Sequence, residues 1–167
     1  MKISKPLILL LFVFSSALSA NEPLISKKKV PLSIALPLLK SIDIHSIVVG
    51  TGPIDMYAFI DPVCPRSRDF VEMVFDNKKM QSSYTYHFFL YELERFHTKN
   101  LIANIYKAKD PLVLMQKIMV KKEKVSDLEN IPQNIASKIN QISEVAIKLD
   151  IYKRPYLFVV KPQKGGK

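Results

Sequence analysis

Apolar runs of different length and period mark out the elements of this chain. The first, from Pro6 to Phe14, follows Lys2 and Lys5 and precedes Ser15, Ser16, Ala17, Leu18, Ser19 and Ala20. A positive start, a short apolar centre and small residues at a cleavage point make residues 1–20 a secretory signal peptide. The run falls short of the ~20 residues a membrane-spanning helix needs. Residues 21–50 carry Pro23, Pro31 and Pro37 and the run Lys27, Lys28 and Lys29. They read as a loosely ordered lead-in with one helix near Leu36 to Ile42. Gly52 and Pro53 punctuate the chain, and residues 51–167 then form one domain.

Within that domain, Ile54 to Ile60 is short, apolar and bounded by turn residues, which predicts a buried strand. Pro65 suits the first turn of a helix, where its missing amide hydrogen costs nothing. From there Phe70, Met73 and Val74, with Val71 and Phe75 beside them, make an apolar face opposite Arg66, Arg68, Asp69 and Glu72. This helix fades near Asp76 and Asn77. Tyr84 to Tyr91 is rich in strand-favouring aromatic residues. Helical spacing resumes over about 100–120 and 131–149, and Pro155 to Val160 predicts another buried strand. Alternating strands and helices place the chain in the α/β class.

Composition changes this picture at two points. Lys and Arg number 25 against 15 Asp and Glu, for a formal charge of +10, and loss of Lys2 and Lys5 with the signal lowers it by two. The mature chain stays basic, which favours anionic partners, while export argues against a nucleic-acid role. The second point is a single cysteine, Cys64. A lone thiol in an oxidising compartment rules out a scaffold stapled by internal disulfides. Cys64 is therefore buried and inert, paired with another molecule, or reactive. His45, His87 and His97 are scattered, so neither a metal centre nor a cofactor is expected, and His87 in a strand reads as structural.

Three stretches resemble, in order, the catalytic domain of the bacterial periplasmic DsbC/DsbG-type disulfide isomerases, a branch of the thioredoxin superfamily. Phe59-Ile60-Asp61-Pro62-Val63-Cys64 is similar to the family's entry into its active site. Ile105-Tyr106-Lys107-Ala108-Lys109-Asp110-Pro111 resembles part of its inserted helical region, and Ile142 to Val160 resembles its last helix and proline-led strand. The likeness spans about 54–160. It implies a thioredoxin-like fold with a helical insertion, about 98–150, between the second strand and the Pro155 strand. It also implies a site in which Cys64, Ser67 and Pro155 hold the catalytic positions, Pro155 being a cis-proline facing the cysteine, with Pro65, Arg66 and Arg154 contacting substrate.

The sequence departs from the family in three ways. Ser67 stands where the family has a second cysteine, residues 21–53 are too few for its dimerisation domain and linker, and Lys167 follows soon after the Pro155 strand. A thiolate at a helix N-terminus is favoured by unpaired amides and the helix dipole, with Arg66 and Arg68 adding to this and an inward Asp61 opposing it. Such a thiolate can attack a disulfide, but Ser67 cannot resolve the product, so turnover needs an external thiol or the client's own cysteine. Two readings stand. One is a periplasmic monothiol exchange or isomerase-like enzyme acting on exported protein clients. The other is a non-catalytic thioredoxin-fold binding module or accessory of an envelope assembly or secretion system. Tyr91, Glu92, Glu94 and Arg95 either rim the active-site groove or form a solvated loop.

Overall fold

A computed structural model describes residues 29–126 and 128–162; the expected signal segment, the first part of the lead-in and the last five residues lie outside the described residues. Its centre is the strand β2 (Ile54–Ile60), whose last four residues are all buried. On one side β2 pairs in parallel with β3 (Tyr84–Leu90), and on the other it pairs antiparallel with β4 (Tyr156–Val160). The registers place Tyr57 between His87 and Phe158, and Ala58 between Phe88 and Leu157. A strand buried on both faces reads as a continuous apolar run, which is why Ile54 to Ile60 was legible without alternation.

The lead-in carries no pattern that predicts a strand. The structure places β1 (Ile47–Val49) antiparallel to β3, so the sheet order is β1-β3-β2-β4. Ahead of it runs the helix α1 (Leu32–Ser41), which starts before the expected Leu36 and carries Pro37 inside. Ala35 and Leu39 of α1 are fully buried. Residues 29–50 thus pack as part of the α/β layer rather than loosely beside it. Their anchor is His87, whose Nδ1 lies 2.7 Å from Asp43 and whose Nε2 lies 3.3 Å from Asp55 while its ring stacks on Tyr57.

Gly52 makes the turn into β2 possible. Its amide donates to the Tyr84 carbonyl at 3.2 Å, and a Cβ there would meet the Ser83 carbonyl carbon at 2.0 Å. Only a residue without a side chain can come this close.

Helix α2 (Pro65–Asp76) packs on the sheet through Val71 and Val74, with the Phe70 ring set edge-on to Tyr86 and Phe88. Met73, expected on the apolar face, is 46% exposed. A short helix α3 (Lys78–Ser83) follows, capped by the Asn77 side chain accepting from the Met80 amide. It has no buried residue, and hence no apolar period to announce it.

Between β3 and β4 lies the expected helical insertion. The stretch read as one helix over 100–120 is two, α4 (Lys99–Lys107) and α5 (Pro111–Met119). Asp110 caps the second by accepting from the Val113 amide at 3.0 Å, and Pro111 occupies the first turn. Helix α6 (Gln133–Lys148) buries Ile135, Ile139, Ile142, Val145 and Ala146 on one stripe. No helix among the described residues is long and apolar enough to cross a membrane.

Candidate active site

The site forms where β2 ends and α2 begins. Cys64 is the N-cap residue of α2, and its carbonyl accepts from the Arg68 amide at 3.0 Å. Its sulfur lies 3.9 Å from the carbonyl oxygen of Arg154, the residue joined to Pro155 by a cis peptide bond. Residues 90 positions apart are thereby brought together. As the N-cap residue, Cys64 stands at the end of α2 where the positive end of the helix dipole falls, and its side chain makes no capping hydrogen bond.

Cys64 is nevertheless only 3% exposed. It reaches solvent through a groove of ≈ 460 Å³ lined by Cys64, Pro65, Arg66, Leu93, Arg95, Tyr152, Lys153 and Arg154. Pro65 and Arg66 are exposed on the rim, whereas Pro155 lines an adjoining depression with Lys29, Tyr152, Lys153, Tyr156 and Leu157. Of the 91–95 loop, Leu93 and Arg95 reach the Cys64 groove, and Tyr91, Glu92 and Glu94 line its neighbour.

Ser67 is fully buried, and its hydroxyl oxygen accepts from the Asp61 amide at 3.2 Å. That bond fastens the first turn of α2 to the end of β2. Arg68, expected to face water and support the thiolate, donates from Nε to the Pro62 carbonyl at 2.7 Å. It clamps the loop instead.

Two residues hold the site together in ways sequence reasoning missed. Asp61 is fully buried. Its Oδ1 accepts from the Val63 amide at 2.9 Å, and its Oδ2 accepts from the Leu93 amide at 2.7 Å and the Thr98 hydroxyl at 2.9 Å. One carboxylate thus joins the cysteine loop, the 91–96 loop and the start of α4. The Asp-Pro pair after a strand was a visible signal, but it reads as a strand stop.

Arg154 is the other. Its guanidinium is turned inward, donating to the carbonyls of Tyr91, Glu92 and Lys153 at 2.9 Å each and to Ile151 at 3.4 Å. It lies 3.9 Å from the centre of the Tyr91 ring. Burial pushes it down to about 10, so at neutral pH it stays charged, held by carbonyl dipoles and a ring face. What Arg154 presents to Cys64 is its backbone carbonyl.

No family model matches the chain, and no curated protein matches it in sequence. Solved structures match it in shape. ScsC from Proteus mirabilis in a transitional conformation aligns over 78% of this chain and 71% of its own, with a TM-score of 0.60 and 14% identity. The putative protein-disulfide isomerase from Pseudomonas syringae aligns over 75% and 94%, with a TM-score of 0.52 and 12% identity. The disulfide interchange protein from Neisseria gonorrhoeae aligns over 69% and 79%, with a TM-score of 0.50 and 19% identity. At these identities the likeness is one of fold. The chain has a thioredoxin-like α/β fold.

Proposed function

We propose that this chain is an exported, periplasmic protein that exchanges disulfides through the single thiol of Cys64. Residues 1–20 serve as a cleaved signal and 51–167 as the thioredoxin-like domain. The observation that carries this reading is the place of the Cys64 sulfur, at the start of α2, beneath a groove and against the Arg154 carbonyl. A thiol there stands at a helix start with an approach path through the groove.

The Cys64 thiolate attacks one sulfur of a client disulfide, forming a Cys64–client disulfide and releasing the other client sulfur as a thiolate. A second thiolate, from the client or an external small thiol, then attacks the mixed disulfide and frees Cys64. Client rescue gives isomerisation, with no net change in oxidation state. Ser67 stands where a resolving cysteine would complete the step internally, and its hydroxyl fixes the loop through Asp61. Pro65 and Arg66 line the approach together with Arg154, and Pro155 lines the adjoining depression.

The test is the rate of Cys64 alkylation against pH in the mature chain, with trapping of mixed disulfides in the export compartment. A rate that rises with thiolate formation, together with Cys64-dependent trapped clients, is expected. An inert thiol with no trapped client refutes the reading.

A second reading is favoured by the 3% exposure of Cys64, which is low for a nucleophile. In it the chain is a non-catalytic binding module that holds a peptide in the same groove, as an accessory of an envelope assembly or secretion system. Full biological activity in a Cys64→Ala variant decides for it.

A further inference from the structure

We propose that the groove over Cys64 is matched to an anionic partner, an extended acidic segment of the exported client next to its reacting cysteine. The inference deepens the exchange reading and rests on it for the thiol step, but the charge of the groove acts whether or not Cys64 reacts.

Cations converge here from three separate pieces of chain. Arg66 comes from the first turn of α2, Arg95 from the loop after β3, and Lys153 and Arg154 from the approach to β4. Among the described residues, no carboxylate lines this groove. Arg154 is held by backbone carbonyls and contributes its field, whereas Arg66, Arg95 and Lys153 are exposed and take part in none of the ion pairs among the described residues. The unpaired amides of the first turn of α2 add positive potential at the same mouth.

The trough does not stop at the cysteine. It continues, through the shared residues Tyr152 and Lys153, into the depression that Lys29 flanks. The charge of Lys29 is disfavoured first by its burial and then by Lys153. The Lys29 amine donates to the Leu157 carbonyl, and an anion in the depression it lines with Lys153 would offset their repulsion. Glu92 and Glu94 line the depression on the other side, with Leu93 and Arg95. The acidic stretch therefore runs from Cys64 toward Lys153 and Lys29. A groove with apolar walls at Pro65 and Leu93 and cations along its rim fits an extended peptide better than a small free anion, which would use only one end.

The test uses the mature chain and two labelled extended peptides with serine in place of the client cysteine, one flanked by Asp and Glu, the other by Lys. Binding is followed by fluorescence anisotropy at ionic strengths of about 0.01 M and about 1 M, where charges are screened beyond ~30 Å and ~3 Å. The acidic peptide is expected to bind about tenfold more tightly at low salt, and the difference to collapse at high salt. The double variant Arg66→Gln, Lys153→Gln is expected to lose most of the preference, and Arg66→Lys, Lys153→Arg to keep it.

Equal binding, tighter binding of the basic peptide, a preference that survives high salt, or a neutralised variant that keeps it would each overturn the proposal. The last would place the attraction in the overall basic charge instead of the groove. Because neither peptide has a thiol, an inert Cys64 beside a strong acidic preference removes the exchange reading and leaves this one. A reactive Cys64 without the preference does the reverse.

Discussion

Replacing Asp61 by Asn tests the organisation of the site most directly, because the two side chains have nearly the same shape and differ in what they accept. Asp61 accepts on both oxygens, from the Val63 amide on one and from the Leu93 amide and Thr98 hydroxyl on the other. An Asn side chain has one acceptor oxygen and one NH2 donor. Whichever way the amide is turned, a buried donor meets a donor. With the oxygen kept toward Val63, the Leu93 amide loses its partner, while the Thr98 hydroxyl can rotate to accept. A bond to a charged acceptor is worth about 1.5–3 kcal/mol, and an orphaned buried donor costs about 1–3 kcal/mol. The two figures overlap in what they count, so the expected loss is about 2–3 kcal/mol. Asp61→Ala strands all three donors and is expected to cost about 4–5 kcal/mol. Urea unfolding of the mature chain gives the comparison through a lower midpoint at an unchanged slope. An Asn variant within about 0.5 kcal/mol of the parent at the same slope would refute the role given to this carboxylate.

Two further substitutions probe the same scaffold. Tyr106 Oη accepts from the buried Leu90 amide at 2.9 Å, so Tyr106→Phe is expected to cost about 1–2 kcal/mol and to speed hydrogen exchange at Leu90; unchanged exchange would count against it. Arg154→Lys replaces a planar fork that reaches four carbonyls by a single ammonium, so a loss of about 2–4 kcal/mol and faster proteolysis in the 91–96 loop are expected. A Lys variant as stable as the parent would show that charge alone suffices there.

The tests at Cys64 and at the groove ask different things from these. Asp61, Tyr106 and Arg154 hold the loops in place, and their loss is read first as stability. In the proposed function Cys64 and the exposed cations of the groove meet the partner, and their loss is read as reactivity or binding.

By itself the sequence determined the central strands, α2, α6 and the position of Cys64 at a helix start. Those features rest on local patterns: Ile54 to Ile60 is a bounded apolar run, Pro65 follows the cysteine, and the α6 stripe repeats at helical spacing. The break between α4 and α5 was also local, since Asp110 and Pro111 are a cap and a first-turn residue, although the apolar period running through them hid it.

What the tertiary structure decided depends on partners far along the chain. Ile47–Val49 becomes a strand because β3 offers it an edge, and three residues carry no period of their own. Arg154 is expected from the resemblance to contact substrate, but the carbonyls of Tyr91 and Glu92 turn its guanidinium inward. Asp61 reads as the end of a strand until Leu93 and Thr98 arrive to donate to it. The sulfur of Cys64 was expected at a helix start, but its near-complete burial follows from the approach of Arg154, 90 residues away. Periodicity reports which residues seek the interior, whereas hydrogen-bond pairing and exposure are properties of the assembled packing.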